Sequence, residues 1–200
     1  RPSCTNSTRL LNGPSEDSDP VAPGFQLSVS GLVATSVRTV TFSTTGVQPV
    51  SVSPANGAAS AILTLNAAGD VTYPVRLQGT DTDGNSCDET AMVRVDLVAP
   101  TIVVTTPVQQ ADGGPAIVTL TPVNLSVMTD ADPGSMVCVQ RRQGTATVAV
   151  GCATVSNGSA TVPVPFATGG AYDLVTTVTD TAGNAATRTV SVVANLMNCG

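Results

Sequence analysis

A stretch of sequence occurs twice in this chain, and the second copy follows the first at a constant offset of 99 positions. The first copy runs from Tyr73 to Asn85 and the second from Tyr172 to Asn184, and the two align without a gap. The same offset relates the alternating apolar residues that follow each copy. A repeat of this length predicts two structural units of about a hundred residues each.

Each copy has the pattern of a β-hairpin. In the first copy, period-two alternation places Tyr73, Val75 and Leu77 on one face of a strand and their neighbours on the other. A turn with the sequence Asp-Thr-x-Gly-Asn and a second alternating strand follow. Gly84 and Asn85 suit a turn that needs a positive φ angle. Both halves of the chain are therefore predicted to end in the same hairpin.

The boundary between the two units is expected at Val98-Ala-Pro100, because proline cannot donate a hydrogen bond to a β-ladder and tends to end a strand. This places one domain at residues 1–98 and a second at residues 99–198. Residues 199–200 are expected to begin a further repeat, with Cys199 as its first cysteine.

The remainder of each half is also predicted to be β-structure. Val, Thr and Ile supply 63 of the 200 residues, and these β-branched side chains favour strands over helices. About seven short strands per hundred residues, separated by turns, are typical of an immunoglobulin-like sandwich, so the expected fold class is all-β with two tandem immunoglobulin-like β-sandwich domains. The earlier strands are expected near residues 4–11, 25–33, 39–44, 49–53 and 61–65, and near 101–107, 117–128, 136–141, 146–154 and 159–165.

The repeated hairpin resembles the closing hairpin of bacterial Ig-like repeats and of hyalin repeats. In hyalin repeats a cysteine follows the Gly-Asn turn and pairs with a cysteine near the start of the domain. The resemblance therefore implies a disulfide between Cys4 and Cys87. The second half departs from this pattern, because Ala186 stands where the first half has Cys87. The resemblance to Ig-type domains also implies that Tyr73 and Tyr172 are core residues whose hydroxyl groups bind the backbone.

The other cysteines point to an oxidising compartment. The chain has five cysteines that are widely spaced and no histidine, so disulfides are expected rather than a zinc site. Cys138 and Cys152 lie symmetrically about Thr145, as cross-strand partners in a hairpin would, and are predicted to pair. Cys199 is expected to be a free thiol in this chain. The predicted location is extracellular or at the cell surface.

The composition excludes several classes of function. Without histidine or lysine, a serine or cysteine nucleophile lacks its usual base, so no enzymatic activity is expected. A net charge of −6 opposes binding to nucleic acid, and the 2 % aromatic content provides no platform for base stacking. The apolar stretches are shorter than the roughly 20 residues that span a bilayer, so membrane insertion is not expected either.

Calcium is the one cofactor that the sequence suggests. Asp81, Asp83 and Asn85 place oxygen ligands at alternate positions, as calcium loops do. Asp130 and Asp132 form a second candidate site near the start of the second half. The competing interpretation is that these residues stabilise turns through hydrogen bonds to their own backbone, without a metal.

The leading functional hypothesis is a non-catalytic structural or adhesive module, such as a stalk or spacer segment of a bacterial surface or secreted protein. Its expected partners are neighbouring Ig-like repeats of the same chain and a cell-surface protein or glycan. The alternative is a carbohydrate- or protein-binding accessory module of a secreted multidomain enzyme.

Overall fold

The structure is a computed structural model that describes residues 2–196. It divides between Val98 and Ala99 into two compact units, here called unit 1 and unit 2. Outside one three-residue 3-10 helix, Pro14–Glu16, the regular structure of the described residues is entirely β. The predicted fold class, all-β with two tandem β-sandwich domains, is confirmed.

Unit 1 contains eight strands in two sheets. One sheet has the order β1-β3-β6, and the other has the order β2-β8-β7-β4-β5. All pairs are antiparallel except β2 with β8, which are parallel. The strands are β1 Cys4–Asn6, β2 Leu11–Asn12, β3 Phe25–Val33, β4 Val37–Ser43, β5 Val50–Val52, β6 Ala58–Leu65, β7 Asp70–Asp81 and β8 Ser86–Asp96.

Unit 2 repeats this topology strand for strand. Its sheets have the orders β9-β11-β14 and β10-β16-β15-β12-β13, and β10 pairs with β16 in the parallel direction. The strands are β9 Val103–Thr106, β10 Ala116–Val118, β11 Val123–Met128, β12 Met136–Gln143, β13 Ala146–Thr154, β14 Ser159–Val164, β15 Gly170–Thr179 and β16 Ala185–Ala194.

The predicted strands at residues 4–11 and 117–128 are wrong in one respect, since each is two strands in different sheets. In unit 1 the chain leaves β1 after Asn6 and joins the opposite sheet at Leu11. Thr8, which is buried at this crossing, exchanges hydrogen bonds with the backbone of Ser30. In unit 2 the crossing lies between β10 and β11 and contains Pro122, which has no N–H for a ladder. Each unit therefore has eight strands and not seven.

Each unit has its own aliphatic core between its two sheets. The alternation of β3 buries Phe25, Leu27 and Val29, and these pack with residues of β4, β6 and β7. In unit 2 the corresponding core is built around Leu125, Leu174 and the valines of β12 and β16.

Gly31 lies where a side chain of the opposite sheet of unit 1 approaches the backbone of β3 closely. A Cβ atom at this position of β3 would overlap the Cδ1 methyl of Leu77, which is fully buried on β7. Since neither strand can move away without opening the core, the missing side chain at Gly31 determines how closely the sheets pack.

Candidate functional site

The disulfide of unit 1 joins its first strand to its last. Cys4 on β1 bonds to Cys87 on β8, with 5.7 Å between the Cα atoms and a sequence separation of 83. Gly79 on β7 leaves room for the bond, because a Cβ there would lie 3.0 Å from the Cys87 sulfur and 3.2 Å from the Cys4 sulfur. The two sheets of unit 1 are thus linked covalently.

Unit 2 has two apolar residues, and no disulfide, at the corresponding place in its closing hairpin. At the offset of 99 residues, Gly79 corresponds to Val178 and Cys87 to Ala186, and these form the same cross-strand pair in their own hairpin. Val178 is fully buried in the core of unit 2. A buried valine thus stands in unit 2 where unit 1 has the glycine that leaves room for the disulfide.

The disulfide of unit 2 lies within a single hairpin. Cys138 on β12 bonds to Cys152 on β13, and the two residues are direct cross-strand partners with 4.1 Å between their Cα atoms. This bond fixes β13, the outermost strand of its sheet, to its neighbour. Cys199 lies outside the described residues, so its free thiol stays a prediction.

The first calcium candidate is a turn closed by hydrogen bonds. One carboxylate oxygen of Asp81 accepts hydrogen bonds from the backbone N–H groups of Asp83 (3.0 Å) and Asn85 (2.8 Å). The other oxygen accepts from the side-chain amide of Asn85 at 3.0 Å. These bonds, with the one from the Asn85 side chain contributing most, hold the pKa of Asp81 below its usual range. The carboxylate thus acts as the cap of its own turn.

The matching turn of unit 2 has the same hydrogen bonds without an acidic residue at its centre. Asp180 accepts from the backbone N–H groups of Ala182 and Asn184 and from the Asn184 side-chain amide, each at 2.9 Å. Ala182 stands where unit 1 has Asp83. The hydrogen-bond network of the turn therefore forms with alanine at this position as well, which agrees with the interpretation that the Asp and Asn stabilise the turn.

The second calcium candidate does not form a cluster of ligands. The Asp130 carboxylate accepts a hydrogen bond from the backbone N–H of Thr101 at 2.7 Å, and this bond lowers its pKa. It therefore fixes the chain where unit 2 begins. Among residues 2–196, no three Asp, Glu, Cys or His side chains come together in a group that could hold a metal ion. Calcium binding by Asp81, Asp83 and Asn85 or by Asp130 and Asp132 stays a prediction.

We accordingly expect calcium to be dispensable for stability. Addition of EDTA should shift the melting temperature of the protein by no more than about 1 to 2 °C, since the turn carboxylates already bind backbone N–H groups. Differential scanning calorimetry with and without millimolar calcium measures this. A shift of the melting temperature above about 10 °C would show that the Asp81 or the Asp130 turn binds calcium.

The two repeated tyrosines differ in their hydroxyl contacts. Tyr172 is buried, and its hydroxyl binds Thr168 through the backbone carbonyl (3.0 Å) and the side-chain hydroxyl (2.9 Å). Tyr73 packs against the core of unit 1, but its hydroxyl has no hydrogen-bond partner among the described residues. The residue that corresponds to Thr168 is Gly69, whose carbonyl accepts from Leu97 instead. The expected hydroxyl–backbone bond is thus present in unit 2 and absent from unit 1.

This difference predicts unequal effects of removing the hydroxyl. Tyr172→Phe should lower the free energy of unfolding of unit 2 by about 1 to 2 kcal/mol, because two partly buried hydrogen bonds are lost. Tyr73→Phe should change unit 1 by less than about 0.5 kcal/mol. Urea unfolding of the two variants measures both values. Equal losses would contradict the structural distinction between the tyrosines.

Arg141 covers the aromatic pair of unit 2, a contact that sequence reasoning did not find. Its guanidinium carbon lies 5.8 Å from the ring centroid of Phe166 and 5.5 Å from that of Tyr172, and the rings are 5.0 Å apart. The guanidinium also donates a hydrogen bond to the carbonyl of Pro165. The sequence signal for this contact is the pair Arg141-Arg142. Because adjacent residues of a strand point to opposite faces, one of the two arginines must point toward the core.

The whole chain is similar in structure to the fibronectin(III)-like modules of Clostridium thermocellum CbhA. The match covers 99 % of this chain and 97 % of that structure, with a TM-score of 0.54 and 14 % sequence identity. At this identity the likeness shows the fold alone, a pair of β-sandwich modules. No protein family and no curated protein sequence matches the chain.

Two adhesin structures also align with nearly all of this chain. A tetra-tandem repeat in the extending region of a large adhesion protein matches 98 % of it at 19 % identity and a TM-score of 0.45. A Ca²⁺-stabilised adhesin that helps an Antarctic bacterium bind ice matches 98 % at 22 % identity and a TM-score of 0.46. The chain spans about half the length of each, 50 % and 48 % respectively.

The part of the chain that the structure describes contains no helix long and apolar enough to cross a membrane.

Proposed function

We propose that the chain is a non-catalytic structural and adhesive segment of a bacterial surface or secreted protein, in which serial β-sandwiches space and present a binding surface. The observation that carries the proposal is the repetition of one eight-stranded topology in two compact units, each of which contains a disulfide. Serial modules of one topology extend a chain in regular steps, which is the requirement for a spacer.

The proposed location is extracellular. Two disulfides support it, since such bonds persist in oxidising compartments and are rare in the cytosol. The absence of histidine and lysine from the sequence supports a role without catalysis. The alternative, an accessory module of a secreted multidomain enzyme, additionally requires a catalytic domain in the same protein, and no observation favours it.

We further propose that the domains are residues 1–98 and 99–198 and that both are bacterial Ig-like repeats. The bond between Cys4 and Cys87, which joins the first strand to the strand after the Gly-Asn turn, supports a hyalin-like arrangement for unit 1. Unit 2 has Val178 and Ala186 at the corresponding place and supports only the broader assignment.

A surface-display experiment tests the spacer role. A small binding head is anchored to a bacterial outer surface directly, through unit 1, or through the whole chain, and the cells are titrated with an antibody against the head. Accessibility of the head should rise with each added unit. Equal accessibility of the head with no unit and with both units would contradict the proposal.

A further inference from the structure

A row of polar side chains crosses the outer face of the five-stranded sheet of unit 2. Arg142 on β12, Asp173 on β15 and Ser191 on β16 are in register as successive cross-strand neighbours. They lie on the outer face because Tyr172, Leu174, Val190 and Val192, which flank them in sequence, are buried on the inner face. The Asp173 carboxylate accepts a hydrogen bond from the Ser191 hydroxyl at 2.7 Å.

This row lines an open groove of about 410 Å³. The groove is also lined by Gln109, Gly113 and Pro115 from the connection between β9 and β10, and by Gly144 in the β12–β13 turn. The volume lies within the range of small-ligand sites, about 300 to 1,000 Å³, and is sufficient for one or two sugar rings.

The polar row is not required by the repeated fold. At the offset of 99 residues, Asp173 corresponds to Pro74 and Ser191 to Met92, which are cross-strand partners in unit 1. β4 ends at Ser43, whereas β12 continues far enough to place Arg142 beside Asp173. Because unit 1 forms the same sheet with apolar residues here, the polar groups of unit 2 are not needed for these strands to pair.

The charges in the groove favour a neutral ligand rich in hydroxyl groups. Arg142 has no ion pair and no hydrogen bond with any residue between 2 and 196, so its N–H groups are free to donate. Asp173 is the cross-strand partner of Arg142, and its negative carboxylate repels an anionic ligand. A sugar hydroxyl both donates and accepts, so neighbouring hydroxyls can bind the carboxylate and the guanidinium together.

We propose that this groove of unit 2 binds a neutral carbohydrate through two adjacent hydroxyl groups, one donating to Asp173 and the other accepting from Arg142. Gln109 and the backbone of Gly113 and Gly144 supply further polar contacts at the walls. The inference rests on the proposed adhesive function and identifies its ligand class. Single-site affinity is expected in the millimolar range, and repeated display on a surface raises the overall avidity.

Nuclear magnetic resonance titration of the full ¹⁵N-labelled chain tests the proposal. The probes are glucose, galactose, mannose and their neutral disaccharides, each added to about 100 mM, a concentration suited to millimolar sites. At least one should shift the amide signals of Gly113, Gly144, Asp173 and Ser191 and leave those of unit 1 unchanged. If no neutral sugar shifts these signals, or if glucuronic acid binds better than every neutral sugar, the proposal is overturned.

Two substitutions locate the binding chemistry. Asp173→Asn and Arg142→Ala should each weaken the affinity of the sugar by about tenfold or more, since each removes a charged hydrogen-bonding partner. Arg38→Ala, which removes an exposed arginine of unit 1, is the matched control and should leave the affinity unchanged. Unchanged sugar affinity in both groove variants, at unchanged melting temperature, would also overturn the proposal. If no sugar binds but the surface-display experiment succeeds, the proposed carbohydrate site is refuted and the proposed spacer function stands.

Discussion

Removal of the Cys4–Cys87 disulfide is expected to lower the free energy of unfolding of unit 1 by about 4 to 5 kcal/mol. The bond closes a loop with a sequence separation of 83 residues, and chain-entropy estimates for a loop of that length give a value in this range. A single domain of this size has a total stability of about 5 to 15 kcal/mol, so the double variant Cys4→Ala/Cys87→Ala should leave unit 1 marginally stable.

The two units can be followed separately in the full chain. Amide signals assigned to each unit, recorded across a urea titration, give one midpoint for unit 1 and one for unit 2. The variant should move only the first. Cys138→Ala/Cys152→Ala, whose partners are 14 residues apart, is the matched control and should cost about 3 kcal/mol in unit 2 alone. An unchanged midpoint of unit 1 in the Cys4 variant would refute the assigned role of the bond.

Gly31→Ala is expected to cost unit 1 about 2 to 3 kcal/mol, although it adds only one methyl group. The new Cβ overlaps Leu77, and overfilling a close-packed core typically has a cost of this size. Gly151→Ala is the matched control in a strand, because nothing lies within 4 Å of a Cβ at that position. It should change the stability of unit 2 by less than about 0.5 kcal/mol.

A double-mutant cycle decides whether Leu77 is the cause. Leu77→Ala alone should cost about 2 to 5 kcal/mol by leaving a cavity, and adding Gly31→Ala should then cost less than it does alone, because the overlapping methyl is gone and the 3.0 Å contact with the Thr5 carbonyl oxygen remains. The coupling free energy should be at least about 1 kcal/mol. Strictly additive losses would show that the Gly31 substitution does not act through Leu77.

The repeat and its alternation were sufficient to predict the class of fold. Period-two patterning identifies which residues of a strand share a face, and it therefore predicted the hairpin that contains Tyr73 and the core positions Val75 and Leu77. It does not show to which sheet a strand belongs. The crossings after Asn6 and before Val123 were missed for this reason, since an alternating segment looks the same before and after it changes sheets.

The candidate site was less accessible from sequence, because its properties depend on contacts between distant residues. Asp81 and Asp83 resemble calcium ligands in sequence, and only the hydrogen bonds within the turn show where the Asp81 oxygens point. The groove depends on Arg142, Asp173 and Ser191, which lie on three strands, and the residues themselves form no motif. Within the repeat, Asp173 stands where the first copy has Pro74, and this difference is the one sequence signal for the groove.

The different spans of the two disulfides determine how far each unit lengthens under tension. In unit 1 a load carried along the backbone passes from Cys4 directly to Cys87, so the residues between them bear no force. The unfolded segments outside the loop of unit 1 then have a contour length of only about 50 Å, from roughly 3.4 Å for each residue. In unit 2 the bond from Cys138 to Cys152 shields a short hairpin, and the rest of the unfolded unit has a contour length of roughly 290 Å by the same measure. Within the proposed spacer function, the chain thus joins a unit that lengthens little under tension to a unit that lengthens much further.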